Sequence, residues 1–134
     1  MNFGKNEICP STRWGHTASV YRDKMYVLGG RNDNDISDLF VLDPDSLKWS
    51  EIVLSGRIPT PRRRHSAVFV SSSLVMFGGF DGNFFNDLYA LHLNDQRKNF
   101  IKLESSKIDR DFASLINIPA RSDLRLKICF SPSE

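Results

Sequence analysis

The feature that most constrains this chain is an internal repeat with a period of 49 residues. When residues 13–43 are aligned with residues 62–92, nine of the 31 positions are identical, where unrelated sequence would give roughly two. Similar residues fill further positions, so that Met25 aligns with Leu74 and Phe40 with Tyr89. A repeat of this length indicates a fold made of stacked modules. The identical positions are Arg13, His16, Ala18, Gly29, Gly30, Asn34, Asp38, Leu39 and Leu42, each with its counterpart 49 residues later.

Each unit is predicted to contain four short β-strands separated by turns. In the first copy, the β-prone residues 17–21 precede a polar turn and the apolar run 25–28, which ends at a double glycine. A second apolar run, 39–42, is closed by Asp43-Pro44-Asp45, and residues 48–53 alternate. The second copy repeats this order over 66–70, 74–77, 88–91 and 100–103. Four strands in about 50 residues are typical of a propeller blade, so the predicted fold class is all-β.

These motifs resemble two kelch repeats of a β-propeller. Arg13-x-x-His16, the run 25–30 ending in Gly-Gly, the run Asp38-Leu39-Phe40-x-Leu42-Asp43 and Trp49 follow one another in the first copy. They recur as Arg62-x-x-His65, 74–79 and 87–91, although Phe100 stands at the Trp position and His92 replaces the second Asp. The resemblance implies two four-stranded blades of an incomplete propeller. The first kelch repeat would span residues 11–55 and the second residues 56–104, after an N-terminal segment of residues 1–10.

Residues that occur in both copies are predicted to be structural. The double glycines do not open a helix and no phosphate-loop motif follows them, so they are expected to end strands or allow close packing. A histidine that occurs once per unit suits a structural hydrogen bond better than a catalytic or metal centre. Trp49 and Phe100 are expected to pack between blades. The structural set is therefore His16, Gly29, Gly30, Trp49, His65, Gly78, Gly79 and Phe100.

The loops around the double glycines are predicted to bind a protein partner. In propellers that resemble this chain, the loops before the innermost strand and after the glycines lie on one face, which commonly receives a peptide. Arginine offers forked donors to carboxylates and exposed aromatic rings offer contact area, so a peptide segment containing Asp or Glu would fit. The alternative is that they are ordinary solvated loop residues. The predicted partner-binding residues are Arg13, Trp14, Arg31, Asn32, Arg62, Arg63, Phe80 and Phe84.

The C-terminal residues 105–134 follow a different pattern. Helical spacing predicts a short helix over 109–117, and alternation predicts a strand over 124–130. Together they resemble the start of a BTB domain. Kelch repeats followed by BTB occur in leucine-zipper-like regulator proteins, which resemble adaptors of cullin-RING ubiquitin ligases. The resemblance implies a ligase scaffold as a partner of the parent protein. The alternative is an unrelated strand that pairs with a blade.

Composition narrows the remaining function classes. The 134 residues carry 18 Lys and Arg against 16 Asp and Glu, a net charge of +2 that argues against a nucleic-acid partner. No apolar run or leader suggests a membrane. The two cysteines, Cys9 and Cys129, suit neither a disulfide framework nor a zinc site, and they favour a reducing, cytoplasmic setting without cofactor.

The sequence therefore predicts a non-catalytic protein-interaction module. A cytoskeletal or vesicle-trafficking scaffold is an alternative that the sequence does not separate from it, and a propeller-based oxidase or hydrolase is less supported because no titratable or metal-binding set converges. Two units cannot close a ring of four to eight blades, so their open apolar faces call for further blades or self-assembly. We expect a fragment or a truncated product of a longer reading frame.

Overall fold

The computed structural model describes residues 8–93 and 99–103. These residues form β-strands and no helix, which confirms the all-β prediction for this part of the chain. The helix and strand predicted in residues 105–134 lie outside the described residues. The strands are β1 Thr17–Tyr21, β2 Lys24–Arg31, β3 Asp35–Asp43, β4 Lys48–Glu51, β5 Ser55–Gly56, β6 Ser66–Val70, β7 Ser73–Phe80, β8 Phe84–His92 and β9 Asn99–Leu103.

The first sheet is an antiparallel meander in the order β1-β2-β3-β4. The hairpin between β1 and β2 turns at Arg22 and Asp23, whose φ angles of 46° and 59° match the twist of the flanking strands. The register between β2 and β3 shifts between Leu28 and Gly30, and the same shift recurs between Phe77 and Gly79. The double glycines thus form a bulge near the end of a strand in both sheets.

The second sheet has the order β5-β9-β8-β7-β6 and therefore five strands where the sequence predicts four. The additional strand, β5, comes from the linker between the repeats and pairs in parallel with β9, with Ser55 opposite Asn99. The predicted boundary between residues 55 and 56 falls inside β5. The linker joins the second sheet at its outer edge, which ties the two repeats together along the chain.

The main core lies between the two sheets. Leu28 and Leu39 of the first sheet pack with buried residues of the second, namely Ala67, Leu74, Met76, Tyr89, Leu91, Leu93 and Phe100. Tyr21 stacks on Phe69 with 4.8 Å between ring centroids. Phe100 is 1% exposed, a burial that contributes about 2–3 kcal/mol. We call the side of each sheet that carries the positions of Leu28 and Tyr21 its front face, and the opposite side its back face.

The repeat makes the two sheets equivalent face by face. The front face of the first sheet packs against the back face of the second, which carries Phe69 and Phe100. Trp49 pairs with Leu42 as Phe100 pairs with Leu91, so Trp49 lies on the back face of the first sheet, away from the second. The front face of the second sheet carries a smaller cluster of Val75, Leu88, Ala90 and Leu103.

Candidate functional site

An arginine–aspartate pair holds the end of each sheet where the glycines lie. Arg62 donates to the carbonyl oxygens of Thr60 and Gly78, both at 3.1 Å, and its Nη1 lies 2.5 Å from Oδ1 of Asp87. Arg13 makes the same set of bonds 49 residues earlier, to Ser11, Gly29 and Asp38. The glycine bulge thus presents a carbonyl oxygen that each arginine binds.

This pairing corrects the expectation that Arg13 and Arg62 lie on an exposed loop rim. The side chain of Arg62 is 2% exposed and that of Arg13 is 4% exposed, and both guanidinium groups are occupied by protein acceptors. Their placement is structural, and a contact with a partner stays a prediction that burial disfavours. The recurrence of Arg13 at Arg62 was interpreted as a loop position, whereas the same recurrence had indicated a structural role for the histidines.

The second histidine links the two sheets. Nε2 of His65 lies 2.9 Å from Oγ1 of Thr17 in the first sheet. Burial, together with the positive charge of Arg62, lowers the pKa of His65 from 6.5 to about 4. The ring is therefore neutral at pH 7. Its counterpart, His16, is exposed at the edge of the first sheet, where the described residues provide no such neighbour.

A cluster of arginines and aromatic rings joins the two sheets at this same end. Nη1 of Arg63 lies 2.6 and 2.7 Å from the two carboxylate oxygens of Asp35, which belongs to the first sheet. The Arg63 guanidinium lies 5.3 Å from the centroid of the Trp14 ring and 4.7 Å from that of Phe80. Two cation–π contacts and the carboxylate of Asp35 hold this side chain in one position.

Three further side chains complete the cluster. Arg31 donates to Oδ2 of Asp35 at 3.1 Å, so that one carboxylate serves two arginines. The Arg64 guanidinium lies 5.5 Å from the Trp14 ring. Phe84 packs on Phe80 with 4.8 Å between ring centroids, and it remains 89% exposed. We call Trp14, Arg31, Asp35, Arg63, Arg64, Phe80 and Phe84 the arginine–aromatic cluster.

Five of the eight predicted partner-binding residues thus come together, and two members of the cluster were missed. Asn32 lies outside it, since its side chain accepts from the Asn34 backbone and donates to Ser11 in a local turn. Asp35 was missed because its partner is 28 residues away in sequence. Arg64 lay in the visible Arg62-Arg63-Arg64 run but was not chosen.

Neither a metal-holding cluster nor a membrane-spanning helix occurs in residues 8–93 and 99–103. No three His, Cys, Asp or Glu residues lie close enough there to hold a metal ion. Within the same ranges there is no helix that could span a bilayer. Cys9 is exposed and carries a free thiol, and Cys129 lies outside the described residues, so a cytoplasmic location stays a prediction.

Comparison with known proteins decides the family. A model described as the KLHDC2/KLHL20/DRC7 Kelch-repeats domain matches residues 4–116. The chain belongs to the kelch-repeat family. This kelch chain is 34% identical over 90 residues to the leucine-zipper-like transcriptional regulator 1 homolog of Drosophila melanogaster, covering 66% of this chain and 9% of that protein.

Two further relatives are of different kinds. The kelch chain is 32% identical over 93 residues to Kelch domain-containing protein 3 of Bos taurus, covering 66% of this chain and 24% of the relative. It is 38% identical over 92 residues to tRNA wybutosine-synthesizing protein 2/3/4 of Arabidopsis thaliana, covering 66% of this chain and 9% of the relative. The chain thus spans a quarter or less of these curated relatives. Kelch repeats are generally protein-interaction modules and are typically non-catalytic.

Proposed function

We propose that this kelch chain binds a protein partner through the arginine–aromatic cluster, and that the partner supplies a segment with Asp or Glu beside an apolar side chain. A cytoplasmic setting is part of the proposal. The observation that supports it most is the position of Arg63, which is fixed by Asp35 and contacts the rings of both Trp14 and Phe80. A side chain already held in one conformation loses little entropy when a ligand binds.

The charge of the cluster favours an anionic ligand. It contains three arginines and one aspartate, and that aspartate is shared by Arg31 and Arg63. Arg64 is exposed and makes no ion pair within the described residues. An incoming carboxylate would give Arg64 the partner that Asp35 gives to the other two, and charge-assisted bonds of this kind are the stronger ones.

The exposed rings of the cluster indicate that the ligand carries an apolar group as well as a negative charge. In the arginine–aromatic cluster, Trp14 is 46% exposed and Phe84 is 89% exposed. Tryptophan and arginine are enriched among the residues that dominate protein–protein affinity, and large exposed rings provide apolar contact at low entropic cost. A carboxylate next to an apolar side chain therefore matches the cluster better than a purely acidic run.

Arg64→Ala tests the proposal, with Arg22→Ala as a matched control. Both arginines have a positive φ, 58° and 46°, and both lie near an aromatic ring, but Arg22 lies at the opposite end of the first sheet. A displayed peptide library with Asp or Glu positions, paired with the same peptides carrying Asn or Gln, serves as the probe. We expect Arg64→Ala to weaken selected acidic peptides about tenfold and Arg22→Ala to leave them unchanged.

The opposite results would remove the proposal. Equal binding of the acidic and amide peptides would show that the arginines do not select charge. Equal losses in Arg64→Ala and Arg22→Ala would place the ligand elsewhere or make the attraction nonspecific. Affinity for the acidic peptides should also fall as salt is added, because exposed charges are screened.

We further propose that the parent protein presents its bound partner to a cullin-RING ubiquitin ligase through the BTB-like tail. The resemblance of residues 105–134 to a BTB start supports this role, and so does the similarity of the kelch repeats to a leucine-zipper-like regulator homolog. Co-purification of a cullin with the chain tests it. The cullin should be lost when Leu126 and Ile128 are both changed to Glu. Failure of the unchanged chain to retain a cullin would overturn this step and leave peptide binding intact.

A further inference from the structure

The two outer faces of the described pair of sheets carry apolar side chains that are open to solvent. Val20, on the back face of the first sheet, is 70% exposed. On the front face of the second sheet Val68 is 58% exposed and Phe77 is 47% exposed. Leu28 occupies the position of Phe77 in the first sheet and is 2% exposed, because the second sheet covers it. The same position is therefore covered in one sheet and open in the other.

We propose that the front face of the second sheet binds the back face of the first sheet of another copy of this chain. The contact would repeat between two copies the interface that the chain already forms between its own sheets. The back face of the first sheet is the 49-residue equivalent of the back face that is already docked. A second copy is the occupant because its faces are equivalent to those that already form an interface within the chain.

The apolar contacts of the existing interface have apolar counterparts in the proposed interface between copies, and these counterparts are smaller side chains that do not clash. Inside the chain, Phe69 of the second sheet lies against Tyr21 and Tyr26 of the first, at 4.8 and 5.1 Å between centroids. Between copies, Val20 would take the place of Phe69, and Val70 and Val75 would take the places of the tyrosines. Three aromatic rings become three valines, so apolar surface meets apolar surface on both sides.

The histidine contact transfers as well. His65 binds the Thr17 hydroxyl of the neighbouring sheet at 2.9 Å. At the equivalent positions, His16 of one copy would meet Ser66 of the other, and serine offers the same hydroxyl group. His16 and Ser66 are both exposed in the single chain. The proposed contact gives the first histidine the role that the second already has.

The ion pair of the existing interface corresponds to a pair of aromatic rings in the proposed interface, since both of its members are replaced. Arg63 binds Asp35 across the existing interface. At the equivalent positions, Trp14 of one copy would meet Phe84 of the other, and both rings are exposed in the single chain. If only one member differed, a charge would face an aromatic ring without its partner. A coordinated change from an ion pair to a pair of rings leaves no unpaired charge at this point.

The first glycines of the two doublets, Gly29 and Gly78, have different surroundings, because residues of the neighbouring repeat pack only on Gly29. A Cβ atom built on Gly29 would lie 3.0 Å from Cε1 of His65 and 3.1 Å from the Arg62 oxygen, both in the segment that precedes β6 in the second repeat. A Cβ atom on Gly78 would meet only the Phe85 oxygen within its own sheet. The space that His65 and the Arg62 backbone fill at Gly29 is open at Gly78, where His16 and the Arg13 backbone of another copy would fit.

One hydrogen bond does not transfer. Ser19 donates to the Ala67 oxygen across the existing interface, and its equivalent, Val68, has no hydroxyl group. The contact between copies should therefore be weaker than the contact inside the chain. Because its two sides differ, the association is head-to-tail, and it forms a ring if the rotation closes.

Light scattering of the 134-residue chain, combined with two complementary variants, tests this proposal. Val20→Glu disables the back face and Val68→Glu disables the front face, while Val53→Glu changes a residue that is 85% exposed outside the strands and serves as the control. We expect the unchanged chain and Val53→Glu to exceed the 15.3 kDa of one copy. Each face variant alone should be a monomer. An equimolar mixture should give a pair, because one intact front face then meets one intact back face.

Several results would overturn the proposal. The unchanged chain could remain monomeric as its concentration rises, or Val20→Glu alone could still pair, which would mean front face against front face. A lack of association in the mixture would also contradict it, provided circular dichroism shows folded strands. If a variant unfolds, hydroxyl-radical labelling of Phe77 in the unchanged chain replaces it, and labelling that does not fall with concentration counts against the proposal.

Both proposals use Trp14 and Phe84, so the peptide experiment is done at a concentration at which the chain is a monomer, and its outcome is then separate from that of the association experiment. Covering of Phe77 only when other kelch blades are added would assign the front face to a longer parent protein and overturn self-association. Peptide selection by Arg64 would be unaffected by that result. Loss of peptide selection with normal head-to-tail pairing would instead contradict the proposed function alone.

Discussion

At the end of the sheets where the double glycines lie, one set of equivalent residues is the same in both sheets and the neighbouring set differs. Arg13 with Asp38 and Arg62 with Asp87 make the same bonds in both sheets. One residue further on, Trp14 is replaced by Arg63, and Asp35 in the first sheet is replaced by Phe84 in the second. The residues that recur hold the fold, and the residues that change form the arginine–aromatic cluster. Recurrence within one chain therefore separates structural positions from surface positions.

The largest expected effect is a difference in unfolding free energy between the loss of Arg62 and the loss of Arg13, the arginines of the two arginine–aspartate pairs. Asp87 is 11% exposed against 24% for Asp38, so the second pair is deeper. Arg62→Ala should lower the free energy of unfolding by about 3–5 kcal/mol, because it leaves the nearly buried Asp87 carboxylate with only the longer ion pair to Lys102 at 3.8 Å. Arg13→Ala should cost less, since water reaches Asp38. Urea unfolding followed by circular dichroism measures both, and equal losses would contradict the difference in depth.

The next effect concerns the two histidines. The pKa of His65 is lowered from 6.5 to about 4 in the folded chain, so the unfolded chain binds a proton that the folded chain does not over this range. Stability should therefore fall as the pH drops from 6.5 towards 4, by about 3 kcal/mol in total. Urea midpoints across this pH range measure the loss.

The control for this prediction is the other histidine. His65→Gln should flatten the pH dependence between 6.5 and 4, because glutamine does not titrate. His16→Gln should leave most of it in place under dilute conditions, because the charge of His16 is only a minor cause of the lowered pKa of His65. A slope that is the same in all three proteins would mean that burial of His65 does not set the acid sensitivity.

The smallest expected effect is a difference in stability between alanine at Gly29 and alanine at Gly78, the first glycine of each doublet. Both have a positive φ, 60° at Gly29 and 65° at Gly78, so alanine at either position costs about 1–2 kcal/mol of backbone strain. At Gly29 the added methyl group would also press on His65 and the Arg62 oxygen. Gly29→Ala should therefore be the more destabilising of the two at low protein concentration, by about 1 kcal/mol. Similar unfolding midpoints for the two variants would show that the sheets can move apart at no cost.

The fold could be predicted where the pattern was local. The apolar run 25–28 lies in β2 and the run 74–77 lies in β7, because strand length and the following glycines mark them in sequence. The alternation over 48–53 overestimated β4, which ends at Glu51. β5 was missed because a two-residue parallel strand has no periodicity, and its partner Asn99 is 44 residues away.

The site was predicted only in its outline. Trp14, Arg63, Phe80 and Phe84 follow from the loop positions that the kelch resemblance implies. The role of Asp35 could not be read from sequence, because its pairing with Arg63 depends on how one sheet lies against the other. Burial of Arg62 was missed because three consecutive arginines suggest an exposed run, whereas the backbone turns Arg62 inward and Arg64 outward.

The most direct test of binding at the arginine–aromatic cluster uses the two tryptophans as reporters. Trp14 lies in the cluster and Trp49 lies on the outer strand β4, so the chain gives one indole N–H signal at the site and one away from it. On titration with a selected acidic peptide, the nuclear magnetic resonance signal of the Trp14 indole should shift and that of Trp49 should not. A shift confined to Trp49, or no shift at either indole while the peptide binds, would contradict the account.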